Sequence, residues 1–190
     1  MTPTKPATAP ITETALTDRG AAPWPLAEAR LENPEKPRTY WLATVEPDGS
    51  PHVMPLIGLW HDGALYFVSG ERTRKGTNLA HEPRCVVTTG STTLPSLDLI
   101  IEGRAERVTD EGALRAIADV YRSKLEWPLE VRDGLVVGPN APTAGPPPYA
   151  VFRLAPSRIF GLPGMLGMEQ FDPEDLPRPT RWDFMPTSRQ

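Results

Sequence analysis

The chain has 190 residues, enough for one domain with terminal tails, and its 39% hydrophobic and 23% charged residues are typical of a globular protein. A net charge of −4 provides no basic field to recruit nucleic acid or an acidic membrane surface. The single cysteine, Cys85, excludes an intramolecular disulfide and a cysteine-based metal cage, and its position in a strand pattern is typical of a small buried hydrophobe. The start of the chain lacks a signal-peptide pattern, and no run approaches the roughly 18 apolar residues of a membrane span. We therefore expect a cytoplasmic protein with no nucleic-acid or membrane partner.

The first half of the chain predicts a tail, a helix and an antiparallel meander. Residues 1–20 are rich in Thr, Ala and Pro and predict a disordered N-terminal tail. A short helix follows from Trp24 to Leu31, with Pro25 in its first turn. β-forming residues separated by Asp-Gly turns then predict three strands, at Thr39–Val45, His52–Trp60 and Ala64–Ser69.

The second half alternates helices and strands. Its periodicity predicts a helix at Arg72–His81 and a second one that is capped by Thr109 or Asp110 and runs through Tyr121. It predicts strands at Arg84–Thr89, Leu97–Val108, Tyr149–Leu154 and Arg158–Leu162. Residues 126–148 have a loop-like composition, and the tail from Phe171 is Pro-rich. Six to seven mainly antiparallel strands with a few short helices indicate an α+β protein built on a small closed barrel, because closure removes exposed strand edges. We expect the folded domain to span residues 21–165, followed by a C-terminal tail at 166–190.

The turn after the third predicted strand carries the strongest chemical signal. Ser69-Gly70-Glu71-Arg72-Thr73-Arg74-Lys75-Gly76-Thr77-Asn78 combines three cations, hydroxyls and the free amides of a helix start, which together suit a phosphate group. The spacing is neither that of a Walker loop nor that of a dinucleotide fingerprint. A solvated basic helix face is the alternative interpretation.

The second predicted strand is unusual because Pro55 and Gly58 interrupt it. A proline leaves an unpaired position in a ladder, and a glycine allows close approach to the backbone. This pattern suggests a strand whose peptide groups face a flat ligand. A barrel strand with a bulge is the alternative.

Several motifs in order give the sequence a family resemblance. They are Trp41-Leu42-Ala43-Thr44-Val45, Pro47-Asp48-Gly49, Pro51-His52-Val53, Trp60, Asp62-Gly63-Ala64-Leu65, Arg74-Lys75, Asn78-Leu79 and Glu102-Gly103-Arg104-Ala105. Over residues 35–125 the chain resembles the pyridoxamine 5′-phosphate oxidase-like family of flavin and deazaflavin oxidoreductases. The resemblance implies an FMN-binding split β-barrel and a homodimer with cofactor sites at the subunit interface. Thr180-Arg181-Trp182-x-Phe184 resembles a C-terminal signature of an actinobacterial branch.

Carried onto this chain, the resemblance implies a set of cofactor-binding residues. Arg74 and Lys75 would hold the cofactor phosphate, with help from Ser69 and Asn78. Arg181 and Trp182 would close over the site as a lid from the C-terminal tail of the same or of the partner subunit. A disordered tail is the alternative interpretation. Backbone contacts to the ring would come from the second strand, and Trp60 belongs to the same expected set: His52, Val53, Met54, Pro55, Leu56 and Ile57.

Two positions depart from the oxidases of the family. Asp98 lies near the position where the oxidases carry a glutamine that reaches the ring, and Met54 stands where they tend to have a basic residue. Both departures fit the deazaflavin-dependent relatives better than a true pyridoxamine phosphate oxidase. No catalytic side chain is assigned, because the cofactor supplies the hydride chemistry in such enzymes.

Four functions follow from these patterns. The leading one is an oxidoreductase that uses the deazaflavin coenzyme F-420 to transfer hydride to a small conjugated or quinone-like acceptor. The second uses FMN instead. The third is a non-enzymatic cofactor- or haem-binding protein, in which His52 or His61 would be the axial ligand. The fourth, a barrel without a ligand, leaves the Arg74-Lys75 pair unexplained. The histidines lack metal-binding spacing, so no metal site is expected.

Overall fold

The computed structural model describes residues 9–32, 39–90, 94–164 and 168–185. Within these residues the chain forms three α-helices and mostly antiparallel strands. The helices are α1 (Trp24–Glu32), α2 (Arg74–His81) and α3 (Glu111–Leu125). The strands are β1 (Thr12–Ala15), β2 (Tyr40–Val45), β3 (Pro51–Leu56), β4 (Gly58–His61), β5 (Ala64–Ser69), β6 (Arg84–Thr89), β7 (Leu97–Arg107), β8 (Glu130–Arg132), β9 (Leu135–Val137), β10 (Ala150–Pro163) and β11 (Thr180–Asp183).

The barrel closes through one bent strand. β3 pairs with β2, and after Ile57 the chain continues as β4, which pairs with β5 on the other side of the barrel. The bend occurs where the sequence cannot continue a regular ladder: Pro55 has no N–H, and a Cβ on Gly58 would lie 2.7 Å from the Tyr40 ring. The ring of strands is completed in the order β2, β6, β7, β10 and β5. The predicted single strand at His52–Trp60 is therefore two strands.

β10 is where the sheet splits. Residues 150–154 pair with β5, whereas residues 158–161 pair with β11, and β7 runs along the other side of both halves. A bulge at Ser157 separates the halves. The two strands predicted at Tyr149–Leu154 and Arg158–Leu162 are thus one continuous strand, and the loop-like stretch at 126–148 contains the β8–β9 hairpin.

The terminal segments are part of the sheet. β1 lies within the predicted N-terminal tail and pairs with β11, which lies within the predicted C-terminal tail and pairs with β10. This corrects the expectation of an unstructured tail for residues 9–20 and of a separate lid for the C-terminal strand. Residues 1–8, 166–167 and 186–190 of those predicted tails lie outside the described residues.

Two apolar clusters hold the fold together. The first fills the barrel and extends to α1, and it includes a Trp24–Trp182 edge contact with ring centroids 5.7 Å apart. The second lies between α3, the β8–β9 hairpin and the outer side of β5, where the Tyr121 hydroxyl donates to the Tyr66 carbonyl. Because β5 is covered on both faces, its sequence is a continuous apolar run rather than an alternating one.

Candidate functional site

The site is built around the start of α2. Thr73 is the N-cap, and its Oγ1 accepts a hydrogen bond of 3.2 Å from the Gly76 amide. Ser69 is fully buried, and its Oγ lies 2.7 Å from Thr73 Oγ1. Ser69 therefore supports the cap that places the next two residues, Arg74 and Lys75, in the first turn of the helix.

Lys75 is the most unusual residue of the site. It is 2% exposed, and its Nζ donates to the Thr143 carbonyl at 2.6 Å. Among the described residues no carboxylate lies within salt-bridge distance of this ammonium. Burial lowers the pKa of Lys75 from 10.5 to about 8. A buried cation that faces only a neutral carbonyl is a poorly compensated charge, and an anionic ligand would compensate it.

Arg74 differs from its neighbour in exposure. Its guanidinium points to solvent and lies 3.5 Å from Glu46 Oε1 at the end of β2. An exposed pair at this distance contributes little to stability, so Arg74 can exchange partners at small cost. The two predicted phosphate contacts thus lie in one helical turn: Lys75 is buried, and Arg74 is exposed and paired only weakly with Glu46.

A buried hydrogen-bonded chain joins α2 to β2 and β3. Asn78 Nδ2 donates to Thr44 Oγ1 at 3.0 Å, and that oxygen also lies 3.3 Å from His52 Nδ1. Asn78 and Thr44 are both almost fully buried, and His52 is half-buried. Asn78 therefore anchors the helix to the sheet, and His52 is oriented through Thr44.

Replacement of Thr44 by valine tests this chain. The substitution keeps the side-chain shape but leaves the Asn78 amide without its acceptor, so we expect the free energy of unfolding to fall by about 1–3 kcal/mol. Thr44→Ser retains the hydroxyl and serves as the control. Urea unfolding of both variants measures the difference, and equal stability of Thr44→Val and the unmodified protein would contradict the assigned role.

The β3 residues divide between two faces. His52, Met54 and Leu56 share the inward face, where Leu56 joins the barrel core. Val53 and Pro55 lie on the outward face, and Ile57 is exposed at the bend. The structure therefore links His52 to Asn78 of α2 through Thr44, whereas Ser69, at the end of β5, joins the α2 cap through Thr73.

Four predicted site residues lie elsewhere in the same chain. Trp60 is 2% exposed within the barrel core, and its Nε1 is a buried donor for which the described residues supply no acceptor. Trp182 is also fully buried: its Nε1 donates to the Ala22 carbonyl at 3.1 Å, so its ring is core and not a lid over the α2 site. Asp98 pairs in register with Leu162, at the end of β7 remote from Thr44.

The fourth residue, Arg181, is already engaged. Its Nε donates to Asp183 at 2.9 Å, and Asp183 also accepts from Arg158 at 2.8 Å. Both partners favour the ionised carboxylate and hold the pKa of Asp183 below its usual range. Within one chain, Arg181 therefore belongs to an ion-pair network that joins β10 and β11, and it does not reach the start of α2.

Two contributors to the site were missed from the sequence. Thr44 had a usable signal, because it is the polar member of the inward series Tyr40, Leu42 and Thr44 in β2. Thr143 had none, since its backbone carbonyl is the group that binds Lys75 and any residue would supply it.

The described residues contain neither a cluster of metal-ligating side chains nor a membrane-spanning helix. No group of three or more His, Cys, Asp or Glu side chains there is arranged to hold a metal ion. No described helix is long and apolar enough to cross a membrane.

The order of the strands and the bend between β3 and β4 define a split β-barrel. A family model described as pyridoxamine 5′-phosphate oxidase matches residues 26–162. A pyridoxine/pyridoxamine 5′-phosphate oxidase of Rhodopseudomonas palustris is 32% identical over 155 residues, which cover 73% of this chain and 72% of that protein. The chain belongs to the pyridoxamine 5′-phosphate oxidase family.

Solved structures agree on the fold. A pyridoxamine 5′-phosphate oxidase-related, FMN-binding protein of Nostoc punctiforme has a TM-score of 0.50 at 21% identity, covering 76% of this chain and 85% of that chain. An F-420 reductase has a TM-score of 0.50 at 23% identity, with 70% and 94% covered. At these identities the likeness concerns the fold alone, and it confirms the predicted split barrel.

Proposed function

We propose that this protein is an oxidoreductase that binds a phosphate-bearing flavin or deazaflavin cofactor, with the phosphate on Lys75. The buried ammonium of Lys75 carries this proposal. A lysine in the interior with no acidic partner among the described residues lowers the stability of the unliganded fold, and a cofactor phosphate would supply a compensating negative charge. Family membership supports the same class of ligand.

The residues present fit such a group. The exposed Arg74 can leave Glu46 and add a second cationic contact, and the capped start of α2 adds a favourable helix dipole. β3 is connected to α2 through the Asn78–Thr44–His52 hydrogen-bonded chain, and we propose that its peptide groups contact the ring. When bound, the cofactor would supply the hydride chemistry, and the chain would bind it, orient it and exclude water.

We propose the deazaflavin coenzyme F-420 as the first candidate and FMN as the second. Met54 and Asp98 depart from the oxidase pattern, and a structural neighbour is an F-420 reductase. FMN is supported by the oxidase relatives and by the FMN-binding neighbour. A small conjugated or quinone-like molecule is the proposed hydride acceptor, and a cytoplasmic location is compatible with the free, buried Cys85.

We further propose that the protein is a homodimer whose copies meet through the outer face of the sheet. Strand register places one continuous row of outward residues across the sheet: Pro55, Trp41, Thr88, Ile100, Phe160, Arg181 and Thr14. Trp41 and Val53 on this face are 47% and 53% exposed, which is unusual for large apolar side chains in one patch. A second copy on this face would also bring its Asp98 and Arg181, which share the face, toward the first copy.

A charge on the outer face should break such a dimer. We expect Val53→Glu to convert the protein to a monomer, because a carboxylate at the interface would be desolvated without a partner. Ser123→Glu, on an exposed position of α3, is the control. Sedimentation equilibrium measures the mass, and a dimeric Val53→Glu variant would place the interface elsewhere.

The proposed function is tested by two matched pairs of ligands. Each pair compares a cofactor with the same ring lacking phosphate: FMN with riboflavin, and F-420 with its chromophore without the phosphorylated tail. We expect one cofactor to bind at least ~10-fold more tightly than its phosphate-free analogue, followed by ring fluorescence. Equal affinity within both pairs would contradict the Lys75 site. If the protein binds neither cofactor but gives a Soret absorption band when haem is added, it would instead be a haem-binding protein.

A further inference from the structure

The loop at residues 141–145 lies outside the barrel and reaches the start of α2. It belongs to the segment between α3 and β10, and it is anchored at both ends. The Ala141 amide donates to the Tyr149 hydroxyl at 3.1 Å, and the Ala144 amide donates to the Ala141 carbonyl at 2.9 Å. Ala141 and Ala144 are buried in the second apolar cluster, so packing as well as hydrogen bonds anchors the loop.

Consecutive carbonyls of this loop bind the α2 site. The Ala144 carbonyl accepts from the Gly70 amide at 2.8 Å, in the turn that leads into the helix. The Thr143 carbonyl accepts from Lys75 Nζ at 2.6 Å. The loop therefore fixes both the turn that precedes the cap and the side chain that follows it.

We propose that the 141–145 loop is the positioning element for Lys75 at the phosphate site. This inference rests on the proposed function for its ligand and on the loop geometry for its mechanism. An ammonium has three donors; the Thr143 carbonyl takes one of them and thereby sets the direction of the other two. A flexible lysine would otherwise lose rotamer freedom when it binds phosphate, and a loop that holds it beforehand lowers that entropic cost.

A substitution at Gly145 can displace the loop while leaving the ligand-binding side chains unchanged. Its φ is +75°, and a Cβ at this position would lie 3.1 Å from Thr73 Cγ2. Gly145→Ala would therefore strain the loop and push it away from the α2 cap. Gly134 is a matched control, because its φ is +71° but nothing lies within 4 Å of its Cβ position, in the β8–β9 hairpin. Gly70→Ala is a second test from the helix side, since its Cβ would lie 2.8 Å from the Ala144 carbonyl oxygen.

The first measurement uses the ligand-free protein. Competitive acetylation of lysines, read by mass spectrometry across a pH series, reports the pH at which the Lys75 amine becomes reactive, with exposed Lys124 as internal reference. We expect this midpoint to rise from about 8 toward the ordinary lysine value in Gly145→Ala and Gly70→Ala, and to stay unchanged in Gly134→Ala. An unchanged midpoint in both loop variants would overturn the positioning role whether or not a cofactor binds.

The second measurement addresses the ligand. Gly145→Ala should weaken binding of the phosphorylated cofactor by roughly 10-fold while changing the affinity of its phosphate-free analogue by less than about twofold. Equal weakening of both would mean that the loop supports the fold and not the phosphate contact, which overturns the proposal. Failure of the unmodified protein to bind any cofactor would overturn the proposed function and the ligand part of this inference, while the acetylation result decides the loop–Lys75 contact separately.

Discussion

Replacing Trp182 with alanine should lower the free energy of unfolding by about 3–5 kcal/mol, the usual cost of truncating a large buried aromatic side chain. The indole lies between α1 and β10 and is fully buried. Gly161 makes room for it, because a Cβ there would lie 2.7 Å from the Trp182 ring. The substitution would therefore leave a cavity that a β-strand backbone cannot collapse to fill, and it would leave the Ala22 carbonyl without its donor.

Met185→Ala is the control for this prediction, since Met185 lies two residues after the end of β11 and is 59% exposed. Urea unfolding of the two variants should show a large loss for Trp182→Ala and almost none for Met185→Ala. A lid residue would behave differently: its removal would preserve stability and accelerate cofactor release. Full stability of Trp182→Ala would thus restore the lid assignment and contradict the buried position.

Local sequence pattern was sufficient for the elements whose signals are local. The helix predicted at Trp24–Leu31 is α1, and the predicted strands at Arg84–Thr89 and Ala64–Ser69 match β6 and β5. The helix predicted after a Thr109 or Asp110 cap is α3, and the structure shows that Asp110 is the cap. In each case a cap, a turn residue or an alternating pattern lies within a few positions of the element it defines.

Pairing between distant segments was not available from those signals. β1 and β11 are four residues each, polar in part, and lie in Pro-rich surroundings. Their strand conformation depends on each other and on the outer half of β10, more than 140 residues from β1 along the chain. The same cause explains Trp182, whose burial requires α1 to pack against the opposite end of the sequence.

The candidate site divides in the same way. Arg74, Lys75 and Asn78 were predicted from a contiguous motif, and the structure places all three on α2. The motif alone left open a solvated basic face. The structure separates its cations, because Arg74 is exposed and Lys75 is buried. Only the fold could supply this distinction, since the group that covers Lys75 comes from residues 141–145, far away in sequence.

We expect Lys75→Met to increase the stability of the ligand-free protein and to weaken cofactor binding. A residue that lowers stability but strengthens ligand binding has a functional role. Methionine fills a similar volume without a charge, so the ligand-free protein should become more stable by about 2 kcal/mol at neutral pH, after the loss of the Thr143 hydrogen bond is included. The same change should weaken binding of the phosphorylated cofactor by about 1.5–3 kcal/mol, the range for a charge-assisted hydrogen bond. Lys124→Met, on the exposed side of α3, should do neither.

The free energy of unfolding should depend on pH because Lys75 titrates differently in the folded and unfolded chains. Because the pKa of Lys75 is lowered from 10.5 to about 8 in the folded chain, the unfolded chain binds more protons between these values. The stability contributed at this position should therefore rise as pH increases from about 8 to 10.5, and the full penalty of the buried ammonium should apply below pH 8. Lys75→Met should lack this rise, so its stability advantage over the unmodified protein shrinks toward pH 10.5. An advantage that is absent at pH 7, or that persists unchanged at high pH, would show that the ammonium is not a buried charge. Bound phosphate should reduce this rise, because it favours the protonated amine, and the cofactor affinity should fall as pH increases above about 8.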